Sequence, residues 1–119
     1  MGFIRTLTEI KLVLLYVLNR LSAPVGLAQL IAAAQVDDGF TYFDAVQAIA
    51  ELISTQHAAE QLSGARHLYS GTEKGLSDGT ITESDIPYSV RLKLDATIGA
   101  LRKEMERSRM VAVVRSHEN

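Results

Sequence analysis

Two helix-periodic segments, Leu27–Val36 and Thr41–Ile53, stand only four residues apart, and this pair limits the possible folds more than any other feature. In the first segment Leu27, Leu30, Ile31 and Ala34 share one helix face. The break, Asp37-Asp38-Gly39-Phe40, contains the turn dipeptide Asp-Gly. The second segment opens with Thr41 and has Asp44 three residues on, an acidic variant of the capping box. Phe43, Val46, Ile49, Ala50 and Ile53 supply its expected buried face. Two short helices across a tight turn predict a helix-turn-helix, a motif whose second helix enters the major groove in nucleic-acid-binding proteins.

The chain of 119 residues is long enough for one domain with its own core. It has no cysteine, which excludes disulfides, thiolate metal sites and thiol nucleophiles. Twelve Lys and Arg against fourteen Asp and Glu leave a net charge of -2, not the basic balance of a dedicated nucleic-acid binder. The apolar run Leu12–Leu18 lies too far in, with Glu9 and Lys11 at its edge, to be a secretory signal, and it is too short to span a bilayer. A soluble cytoplasmic protein is expected.

Ahead of the pair, residues 6–21 predict a first helix that starts at the capping box Thr6-Leu7-Thr8-Glu9. Ile10, Val13, Leu14, Val17, Leu18 and Leu21 form one face, and Leu12, Leu15 and Tyr16 make the opposite side apolar too. Such a helix is buried on both sides. The second cover is either the C-terminal helix of the same chain or a partner subunit. Pro24-Val25-Gly26 fits a very short strand.

Beyond the pair, residues 58–62 and 68–70 flank Ser63-Gly64-Ala65-Arg66-His67 and predict a hairpin with Arg66 and His67 at its tip. Residues 70–75 read as a turn or short helix and residues 76–80 as loop. A last helix is expected from Pro87 to about Met110, with Leu94, Ile98, Leu101 and Met105 as a heptad-like seam about two heptads long. Val111–Val114 is a short β-prone run.

The order helix, helix, turn, helix, hairpin, long helix is that of a winged helix-turn-helix. The segments Leu12–Leu18, Ser22–Leu30, Tyr42–Ile53 and Tyr69–Gly75 carry the resemblance, together with Ile86–Arg91. They resemble an uncharacterised bacterial winged-helix family, a domain of unknown function common in anaerobic Gram-positive bacteria. More broadly the chain is similar to small dimeric transcriptional regulators that pair through a helix after the wing. The resemblance implies a mainly α fold with a small β-hairpin wing. It divides the chain into a winged helix-turn-helix over residues 6–75, a linker and dimerisation helix over 76–110, and a tail over 111–119. Two departures loosen the wing: Gln56 stands where such families usually have glycine, and Gly71 where an apolar residue precedes Thr72.

The resemblance implies double-stranded DNA as partner, with Thr41, Gln47, Arg66 and His67 as contacts. Gln47 suits a base edge, Thr41 a phosphate or base, and a wing-tip Arg66 the minor groove or a phosphate. It also implies a homodimer through Leu12, Leu15, Tyr16, Leu94, Ile98, Leu101 and Met105. Against DNA, the expected outward face of the second helix (Thr41, Asp44, Gln47, Ala48, Glu51, Ser54, Thr55) has two carboxylates and no cation. Residues 1–65 hold three Lys or Arg and six Asp or Glu. A protein-interaction or assembly module therefore stands beside the regulator as an expectation. No phosphate-binding glycine loop, nucleophile elbow or His-Glu-x-x-His is present, and His57, His67 and His117 are scattered, so neither an enzyme nor a metal or cofactor site is expected.

Overall fold

A computed structural model describes residues 6–36 and 39–118, with side chains as far as Ser108. The chain is mainly helical, with a three-stranded antiparallel sheet and a long last helix. Its elements are α1 (Leu7–Asn19), β1 (Val25–Gly26), α2 (Leu27–Ala34), α3 (Tyr42–Ser54), β2 (Ala58–Ser63), β3 (Arg66–Gly71), α4 (Glu73–Thr82), a 3-10 turn (Glu83–Asp85) and α5 (Tyr88–Glu118). The layout is compatible with a winged-helix-like one. Among the described residues no helix is long and apolar enough to cross a membrane. The Asp37-Asp38 part of the expected turn lies outside the described residues.

Local signals set the starts of α1 and α3. Thr6 Oγ1 accepts from the Glu9 N–H at 3.1 Å, and the Glu9 carboxylate accepts from the Thr6 N–H at 2.9 Å. Thr41 and Asp44 repeat the exchange at 3.2 and 2.9 Å. Each box satisfies donors that a helix start otherwise leaves bare.

The sheet runs in the order β1-β3-β2. Val25 pairs with Tyr69, while Ala58 and Ser63 pair with Gly71 and Arg66. Gly64, at a φ of 64°, opens the two-residue turn between β2 and β3, the position where a type II′ turn needs glycine. Gln56 lies in the left-handed region, with a φ of 67°. A side chain is strained there, and glycine would not be. Gln56→Gly is therefore expected to raise stability by about 0.5–1 kcal/mol, read as a higher urea midpoint with unchanged m.

The core is built on α1, whose Ile10 and Val13–Leu18 are all buried. Its second cover comes from the same chain, and α4 supplies part of it. Residues 76–80, which read as loop, are helical. Gly75 and Gly79 carry this difference, because both lie against α1. A Cβ on Gly75 would stand 3.1 Å from Leu15 Cδ1, and one on Gly79 would stand 3.2 Å from Leu15 Cδ2. Thr72 caps α4 by accepting from the Gly75 N–H at 3.0 Å. Gly71 likewise faces the end of α1, where a Cβ would lie 3.0 Å from Asn19 Oδ1.

The helix α5 lies against α2, and Thr97 Oγ1 donates to the Ala33 carbonyl at 2.7 Å. Tyr16 Oη donates to Asp95 Oδ1 at 2.6 Å, tying α1 to α5. Burial and that hydrogen bond push the Tyr16 phenol up to about 12. The seam expected at a subunit interface lies in the chain's own core: Leu94 is fully buried, and Ile98 and Leu101 are nearly so. Leu15 and Tyr16 are also buried, while Leu12 and Met105 pack half-buried against the same cluster. The other correction concerns Val111–Val114, which falls inside α5. The helix penalty of β-branched residues is only a few tenths of a kcal/mol each, so an established helix carries through them.

Candidate nucleic-acid interface

The side of α3 that meets solvent is not the side expected from residue size. Ala45, Ala48, Ile49 and Leu52 are buried, whereas Phe43 is 83% exposed and Ala50 is exposed. Positions 45, 48, 49 and 52 also have helical spacing, but two of them are alanines. Small residues on this face let α3 approach the large Val and Leu side chains of α1 closely. The expected face took in Phe43 and Ala50 and missed Ala45, Ala48 and Leu52, while Ile49 is buried as expected and Val46 and Ile53 pack half-buried at its edge.

The rotated helix turns Thr41, Phe43, Gln47, Ala50 and Ser54 outward, with Tyr42 half-exposed beside them. The Tyr42 and Phe43 rings meet edge-to-face at 6.3 Å between centroids. Gln47 is exposed, as expected. Thr41 is exposed too, but its hydroxyl is held in the cap of α3.

Both carboxylates of α3 have partners. Asp44 closes the capping box. Glu51 meets Lys11 Nζ at 3.3 Å and so bridges to α1. The fully outward residues of α3 are uncharged, and its two carboxylates are paired beside them, with the Glu51 side chain still 40% exposed.

The hairpin stands next to α3. Its inner face presents Ala58, Glu60 and Tyr69, with Ala58 and Tyr69 buried. Tyr69 Oη donates to Glu60 Oε2 at 2.9 Å, and His67 Nδ1 meets the same oxygen at 2.8 Å. These two contacts, Tyr69 first, hold the Glu60 carboxyl below its usual range. Burial, then the bond to Glu60, pushes the Tyr69 phenol up to about 12. The network is invisible in the sequence, because it depends on Glu60 and Tyr69 falling opposite each other in the β2–β3 register.

Arg66 and His67 are not a tip pair. Both lie in β3, where neighbouring side chains point to opposite faces. His67 joins Glu60 on the α3 side. Arg66 turns the other way, with its guanidinium over Gly26: a Cβ built there would lie 3.2 Å from Arg66 Nη2. The structure thus keeps Thr41 and Gln47 on one surface, puts His67 beside it, and removes Arg66.

Behind the hairpin is a cleft of about 700 Å³, bordered by the outer face of β3, the α1–β1 connection and α5. At the other end of α3, Lys74 Nζ donates to the Thr55 carbonyl at 2.9 Å, a cation where the helix dipole favours one. His57 bridges Thr55 Oγ1 at 2.6 Å and Asp78 Oδ2 at 2.7 Å, stitching the end of α3 to α4. The side chain of His117 lies outside the described residues.

A family model described as a domain of unknown function, DUF4364, matches residues 10–118. No curated protein and no solved structure matches the chain significantly.

Proposed function

The chain belongs to the DUF4364 family, and from its own geometry we propose that it is a DNA-binding transcriptional regulator of winged-helix type that acts as a dimer. One observation carries the reading: α3 lies beside the β2–β3 hairpin with uncharged residues facing outward and both of its carboxylates paired. That face offers the amide of Gln47 for an adenine edge, Phe43 and Ala50 for thymine methyls, and Ser54 for a phosphate oxygen. The hairpin is the wing. Two such faces on a dimer would read half-sites about one helical turn apart. Pairing has to use residues outside the buried seam, and Tyr88 and Leu92, exposed about one turn apart, are apolar residues that α5 leaves outside.

Because α3 presents no cation, affinity rests on base contacts more than on phosphate neutralisation. Anisotropy of a labelled random-sequence duplex is expected to show weak binding at about 20 mM salt, with a log–log salt slope of only about -2 to -4. Gln47→Ala is expected to weaken binding to a selected site by about tenfold without changing that slope.

A second reading is supported by the same helix. Phe43 is 83% exposed with Tyr42 beside it, an aromatic pair typical of protein contacts. If the folded protein binds no duplex at low salt, α3 is the docking face of an interaction or assembly module.

A further inference from the structure

We propose that the cleft behind the hairpin binds a small amphipathic anion, with its oxyanion head on Arg66 and Arg102 and its apolar body on the cleft floor. At about 700 Å³ the cleft is within the size range of small-molecule sites. Its walls divide by chemistry. Leu21, Pro24, Leu68 and Met105 line it half-buried, while Arg66 and Arg102 are exposed at its edge.

The arginines are the telling feature. Among the described residues, Lys11 and Arg20 are in ion pairs, and His57 and His67 each meet a carboxylate. Arg66 and Arg102 have no ion pair and no hydrogen bond among the described residues. They approach the cleft from different elements, β3 and α5. One carboxylate, Glu106, also lines it, and Glu104 accepts from Gln29 at 3.4 Å. Two guanidinium groups against Glu106 leave the lining cationic. Two planar forks of N–H donors suit a carboxylate or a phosphate monoester equally well. The α3 face is not involved, so the inference does not depend on DNA binding.

The test uses the full chain with octanoate, octyl phosphate and octanol as probes, followed by amide chemical shifts. Both anions are expected to shift the Gly26 and Leu68 amides and to bind at least about tenfold more tightly than octanol. Binding by only one of them would also support the site and name its head group. Arg66→Ala and Arg102→Ala should each weaken the anions by about tenfold with the melting temperature unchanged, since both side chains are exposed. Octanol binding as tightly as the anions, anion binding indifferent to both substitutions, or no binding of any probe at millimolar concentration would each overturn the proposal.

Discussion

Gly75→Ala is expected to destabilise the protein by about 3 kcal/mol, although alanine in place of glycine inside a helix ordinarily gains about 1 kcal/mol. The added methyl would stand 2.0 Å from the His57 carbonyl oxygen and 3.0 Å from its carbon. That obstacle is backbone, fixed where α3 gives way to β2, and it cannot rotate aside. Gly79→Ala meets Asn19 Nδ2 at 2.3 Å instead, the far end of a side chain that can move, so its cost should be much smaller. Gly99 in α5 has nothing within 4 Å of an added Cβ, and Gly99→Ala should stabilise by about 0.5–1 kcal/mol. Urea denaturation of the three variants reads the series directly. A stabilising Gly75→Ala would mean that α4 does not lie against the His57 backbone as described.

Leu94→Ala is expected to cost about 3 kcal/mol, the loss for a fully buried leucine whose surroundings relax only in part. The size matters less than how it depends on concentration. A residue in the chain's own core lowers the melting temperature by the same amount at every protein concentration. A residue in a dimer seam gives a loss that grows on dilution and leaves a folded monomer. The burial of Leu94, Ile98 and Leu101 predicts the first pattern. Leu92→Ala serves as the matched control on the same helix. Leu92 is 51% exposed, and its truncation should stay within about 0.5 kcal/mol in the monomer.

What could be read from the sequence follows the range of the interactions involved. The two capping boxes, the all-round burial of α1, the short β1 and the hairpin rest on signals within a few residues, and they appear where expected. The features that were hidden depend on distant partners. Gly79, in a stretch rich in Ser, Thr and Asp, looks like loop until α1 is placed against it. The orientation of α3 depends on alanines whose value lies in close approach, so a count of large apolar residues points Phe43 inward. By propensity alone Arg66 shares a tip with His67, but β3 includes both and the pleat separates them. The seam on α5 was legible as a stripe, but a stripe does not say whether α2 or a second subunit covers it.

The same contrast holds for the proposed interface. Gln47 could be picked out from spacing alone. The neutrality of the face could not, because Glu51 counts as an exposed carboxylate until Lys11 is brought to it from forty residues away. That ion pair gives a basic partner to one of the two carboxylates that make the helix look acidic in the sequence.

The most direct measurement is an amide chemical-shift map of the folded protein titrated with a short duplex at low salt. Shifts are expected to concentrate at Thr41–Ser54 and along the β2–β3 hairpin near Glu60 and His67, and to be abolished together as salt is raised. Shifts confined to α5 around Arg102, or no shifts in a well-folded sample, would contradict the claim that α3 is the DNA-reading face.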